Sequence, residues 1–112
     1  MSVETNKTLH ARRRSRERDV PVGAHTYTVR RPKVAEMLEG MTRIELARRY
    51  TVGWSLSNLD LVPGGTPDPE PFDLELWSDW LEDDETLWEP LSNAILALLK
   101  EHQEAKAAAA KN

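Results

Sequence analysis

The chain has 112 residues, no cysteine, a net charge of −4, 39% hydrophobic and 30% charged residues. That length supports one domain but not two independent cores, and the missing cysteines exclude disulfides, thiol nucleophiles and Cys-based metal sites. The polar opening MSVETNKTLH lacks the apolar run of a secretory signal, and no later window reaches the eighteen or so apolar residues of a membrane span, so a soluble, cytoplasmic protein is expected.

Residues 1–18 carry Arg12, Arg13, Arg14, Arg16 and Arg18 without apolar periodicity, which predicts a flexible basic arm, largely unstructured. The β-prone runs Asp19–Val22 and Tyr27–Arg30, joined by Gly23-Ala24-His25-Thr26, predict a hairpin over 19–31 in which Pro21 confines its strand to an edge. Pro32 followed by Val34, Met37, Leu38 and Met41 has the spacing of one helical stripe, closed at Gly40.

Thr42-Arg43-Ile44-Glu45 has the form of a capping box, so a second helix is expected from Arg43, with Ile44, Ala47, Tyr50, Thr51 and Trp54 facing the core. Leu56, Leu59, Leu61 and Val62 suggest a short helical turn stopped by Pro63. Residues 63–71 hold four of the seven prolines and two of the five glycines, marking an extended surface loop.

Phe72 stands before the candidate cap Asp73, and Trp77 four residues after it, as in a hydrophobic staple. A helix from Leu74 to Leu81 follows, with Leu76, Trp77, Trp80 and Leu81 as its buried stripe. The acidic run Glu82–Glu85 suits the head of a further helix, broken or begun near Glu89-Pro90 and continued by Leu91, Ile95, Leu98, Leu99 and His102. Residues 104–112, mostly Ala and Lys, have nothing to bury and are expected to fray. The fold expected is thus mostly α within an α+β class, a single helical domain over 19–103 with an N-terminal hairpin and flexible termini.

Charge is divided along the chain: residues 1–50 carry twelve Lys/Arg against six Asp/Glu, and residues 51–112 three against thirteen. The halves can attract each other within one molecule or between copies of a homo-oligomer. Ten acids crowd into Asp68–Glu89, which has no Lys or Arg but holds Phe72, Trp77, Trp80 and Trp88. A segment rich in both carboxylates and large rings must present one apolar and one anionic face, which suits protein partners.

No constellation of residues offers enzyme chemistry. Asp83 with Asp84, or Asp79 with Glu82, are carboxylate pairs best explained as a solvated helix end, and His10, His25 and His102 lack metal-ligand spacing. No calcium loop, phosphate-binding glycine loop or Ser-His-Asp pattern occurs, so no metal and no cofactor is expected. The arginine run suits phosphates, but the anionic second half would repel a polyanion and no aromatic is interleaved, which disfavours nucleic acid. Trp77 and Trp80, three apart, read most simply as core, while Trp54 and Trp88 lie outside their helix, so that Trp54, Phe72, Trp77, Trp80 and Trp88 are the candidate core or partner-binding residues.

The segments Tyr27-Thr28-Val29-Arg30-Arg31-Pro32, Val52-Gly53-Trp54, Pro71-Phe72 after a Gly/Pro-rich loop, Leu87-Trp88-Glu89-Pro90-Leu91 and Ile95 carry a likeness over residues 26–102. In these the chain resembles the small tail assembly chaperones of long-tailed bacteriophages. The resemblance implies a mostly helical, non-enzymatic protein that coats the tape-measure protein in the host cytoplasm until tail tube subunits polymerise around it. It also implies a longer frameshifted form, with which the final Lys111-Asn112 is compatible. The alternatives are a structural head or tail subunit whose basic arm contacts a neighbour, and a nucleic-acid-binding regulator working through that arm.

Overall fold

The structure is a computed structural model that describes residues 2–111. Its elements run α1 (Val3–Ser15), β1 (Glu17–Val22), β2 (His25–Arg30), α2 (Arg43–Tyr50), β3 (Thr51–Trp54), α3 (Asn58–Leu61), α4 (Leu74–Glu82), a 3-10 turn over Glu85–Leu87, and α5 (Trp88–Ala110). The strands form an antiparallel sheet in the order β1-β2-β3, and α2, α4 and α5 share one core with it, so the small α+β class holds.

A hairpin forms here, but its turn is only Gly23-Ala24: His25 and Thr26, expected in the connection, belong to β2, β1 begins at Glu17, and Val20 stands opposite Tyr27 and Val22 opposite His25. Gly23 has φ 62° and Ala24 has a negative φ, the combination of a II′ turn, whose twist matches the flanking strands. Pro21 sits on β1, an edge strand. Tyr27 and Val29 point inward and are buried, while Thr28 and Arg30 alternate with them on the other face of β2.

Residues 51–54, expected to continue the second helix, instead form β3. Thr28 pairs with Gly53 and Val29 with Thr51, so Val52 is an extra residue and the strand is bulged there. The bulge has a packing consequence. Thr51 and Trp54 are an odd number of residues apart and would face opposite sides of a regular strand; the inserted Val52 lets both face the core. Gly53 fits under Thr28, whose Cβ would stand 3.3 Å from an added Cβ.

The expected helix from Pro32 is replaced by turns over residues 34–40. Val34 and Met37 from the proposed stripe are exposed, whereas Leu38 and Met41 pack on the core. Glu36 pins the segment by accepting from the Lys33 N–H at 3.0 Å and from the Tyr50 hydroxyl. So short a helix has marginal stability of its own, and these side-chain bonds outweigh it.

Thr42 caps α2, accepting from the Glu45 N–H at 3.3 Å, and Leu46, Ala47 and Tyr50 are its buried residues. Asp73 caps α4, accepting from the N–H groups of Glu75 and Leu76 at 3.0 Å each, and Phe72 meets Trp77 with ring centroids 6.2 Å apart. Pro90 is accommodated in the first turn of α5, where no intrahelical donor is lost. The 63–71 loop is tied down: Asn58 accepts from the Thr66 N–H at 3.0 Å, and Pro69 bridges Ser57.

Both ends differ from expectation. The basic arm is helical over Val3–Ser15 because Ser2 caps it, Glu4 stands in its first turn and Arg12, Arg13 and Arg14 in its last, all favourable to the helix dipole. It buries no residue, however. At the other end α5 stays regular to Ala110 rather than fraying from 104, as the high propensity of alanine allows; Asn112 lies outside the described residues.

Candidate functional site

Three ion pairs join the basic half of the chain to its acidic half: Arg18 with Glu101 at 2.6 Å, Arg48 with Glu82 at 3.1 Å and Arg43 with Glu89 at 3.5 Å. The opposite charges therefore meet within one molecule. Arg18, counted with the arm, lies on β1 and donates through both guanidinium branches to Glu101. Arg12, Arg13, Arg14 and Arg16 form no ion pair among the described residues.

The five aromatic candidates converge from β3, the loop before α4, α4 itself and the start of α5. Trp77 is 0% exposed and donates its indole N–H to the Ala47 carbonyl at 3.2 Å. Trp54 donates to the Glu70 carbonyl at 2.8 Å and packs edge-on against both Phe72 and Trp77. Trp80 donates to the Tyr27 hydroxyl at 3.0 Å, and Trp88 to the Leu81 carbonyl at 2.8 Å. Trp54, Phe72, Trp80 and Trp88 are half-buried. All four indole donors thus have partners inside the molecule, so these rings tie α4 to α2, the sheet and the loop.

The apolar side chains most open to solvent in this region are aliphatic. Leu74 lies in line with Trp77 and Leu81 at i, i+3 and i+7, yet is 66% exposed because it occupies the first turn of α4. Leu76, expected in the buried stripe, is 37% exposed, since α4 buries only Trp77 and Leu81. Leu74 and Ser78 face Met41, Glu45, Arg48 and Arg49 across a shallow groove of about 550 Å³ between α2 and α4. The sequence signal for Leu74 is a leucine directly after a cap, a position at the margin of any buried stripe.

His10 is exposed on α1. His25 approaches Asp60 at 3.7 Å and stacks edge-on with Trp80, and Asp60 is held below its usual value first by the Ser57 N–H and hydroxyl and then by His25. His102 lies on α5 beside Arg31. Among the described residues no group of three or more His, Asp or Glu could hold a metal ion, and no helix is long and apolar enough to cross a membrane.

Comparison with protein-family models, curated proteins and solved structures gives no match. The groove beside Leu74 and the basic surface around α1 are left open by the fold's own contacts.

Proposed function

We propose that this chain is a non-enzymatic tail assembly chaperone of a long-tailed phage, which holds the elongated tape-measure protein soluble in the host cytoplasm before the tail tube polymerises. The observation that carries this reading is the exposure of Leu74 on an acidic helix, beside the groove against α2, with Leu76 exposed on another face of the same helix. A chaperone for a long helical client needs apolar anchors for the client and net charge to keep the complex dispersed, and α4 with the following turn offers both. The resemblance over residues 26–102 supplies the client's identity. Because the tryptophans are engaged internally, the groove-side anchors on this reading are Leu74 and Met41, with Leu76 a separate exposed contact on α4.

Co-expression with the tape-measure protein of the same phage tests it. The wild-type chain is expected to keep that client in the soluble fraction, and Leu74→Asp to lose this ability while retaining its fold. A client equally soluble or insoluble with and without the chain would refute the reading.

The basic surface of α1, which buries no residue and whose Arg12, Arg13 and Arg14 form no ion pair among the described residues, favours a second reading, a structural head or tail subunit whose α1 contacts a neighbour. Detection of the chain in purified mature particles would select it over a transient chaperone.

A further inference from the structure

The end of α1, the base of the hairpin and α5 enclose a cleft of about 240 Å³ lined by Arg12, Ser15, Arg16, Arg31 and His102. Its composition follows from the register. Glu17 pairs with Arg30, and the backbone ladder continues one step further, with the Arg31 N–H donating to the Arg16 carbonyl at 2.7 Å. Arg16 and Arg31 are therefore held opposite each other, an arrangement that is unfavourable for like charges. Arg12 stands one helical turn before Arg16, whose Nε donates to the Arg12 carbonyl at 3.2 Å. His102 closes the cleft from α5.

Among the described residues no carboxylate lines this cleft, and Arg12, Arg16 and Arg31 form no ion pair. The adjoining wall carries Glu17 and Glu101, and Glu101 is already engaged by Arg18. The mutual repulsion is felt by the groups themselves. Arg31 is lowered by loss of water and then by Arg16 and Arg12, and His102 by loss of water and then by Arg31 and Lys106.

We propose that this cleft is a binding site for a phosphate-class oxyanion, held by the guanidinium groups of Arg12, Arg16 and Arg31 with His102 completing the donor set, while the Ser15 hydroxyl donates to the Arg12 carbonyl at 2.7 Å. Guanidinium groups match such an anion in geometry as well as charge, and the imidazole adds a donor from α5. The cleft is open to solvent on one side, so the phosphate group it holds can be free or part of a larger molecule. An occupied cleft would also fasten α1, which buries nothing, to α5 and the hairpin. This inference does not depend on the client assigned above.

The test uses the full chain at constant ionic strength set with chloride, with two arms, inorganic phosphate and a short single-stranded oligonucleotide. Saturable binding of either supports the site, and the arm that binds more tightly identifies the source of the phosphate. Arg31→Gln should weaken that binding about tenfold or more, whereas Arg14→Gln, which removes the same charge from α1 outside the cleft, should leave it unchanged. Binding should also raise the titration midpoint of the His102 imidazole, followed by NMR. No saturable binding in either arm, equal losses in the two variants, or an unmoved His102 midpoint would each overturn the proposal.

Discussion

Tyr50, the last residue of α2, donates its hydroxyl to Glu36 in the segment that crosses from the sheet, while Arg49 lies 3.6 Å from the same carboxylate and the guanidinium groups of Arg30 and Arg49 stand 5.9 and 5.7 Å from the Tyr50 ring centroid. Loss of water raises the Glu36 carboxyl, but the Tyr50 hydroxyl, the Lys33 N–H and the arginines outweigh it and hold the group below its usual value. Burial, and then Glu36, push the Tyr50 phenol up to about 12.

These shifts set two pH limits. The stabilisation from a lowered Glu36 is present above the unfolded carboxylate value of about 4.3 and is lost as pH falls through the folded value. That from a raised Tyr50 is present below about 10 and is lost as pH rises through the folded value. Glu36→Gln should flatten the acid side of a stability–pH profile, and Tyr50→Phe should cost about 1–3 kcal/mol at neutral pH in urea unfolding. An unchanged acid limb in Glu36→Gln would count against the assignment.

Thr51 Oγ1 is buried in β3 with no hydrogen-bond partner among the described residues. Replacing it with a methyl of similar shape removes an unsatisfied polar group and keeps β-branching, so Thr51→Val is expected to stabilise the chain by about 1 kcal/mol. The denaturant midpoint reads this directly, and a lower midpoint would show the hydroxyl to be satisfied in solution.

The four tryptophans should differ sharply in what their loss costs. Trp77→Ala empties the centre of the aromatic cluster and should cost about 3–5 kcal/mol, enough to unfold a marginal domain. Trp80→Phe keeps a ring in place but loses the bond to the Tyr27 hydroxyl, part of the ring area and the indole's contact with His25, about 1–2 kcal/mol. Thermal unfolding followed by circular dichroism separates the two.

Gly23 has open space around it but a positive φ, so an added methyl group meets strain rather than a clash. Gly23→Ala is expected to cost about 1–2 kcal/mol through the turn alone. Hydrogen exchange at β1 and β2 should accelerate while the amides of α4 change less.

Signals carried within a few residues are legible in the amino-acid order. The hairpin and its edge proline, the Thr42 and Asp73 caps, the 63–71 loop and the place of Pro90 in a first helical turn each depend on local backbone chemistry, and each stands in the fold. The i, i+3, i+4 spacing of Val34, Met37 and Leu38 is equally local, yet a carboxylate bonded to Tyr50 replaces the helix by turns. The stripe running through Tyr50, Thr51 and Trp54 is ambiguous for a different reason, since a helix and a bulged strand can both send those side chains inward.

For the candidate site the balance falls the other way. Composition identifies the aromatic and acidic residues of the second half and the arginines of the first, since charge and ring size belong to the residues themselves. Which rings remain available, and which charges find partners, depends on distances between segments far apart in the chain. Packing alone brings the indole donors of all four tryptophans to acceptors within the molecule, leaves Leu74 outside the core, and sets Arg16 against Arg31 through the hairpin register. The inventory, the turns and the caps are thus written in the order of residues, whereas exposure and pairing arise with the folded arrangement, because burial and counter-charge are properties of neighbours in space.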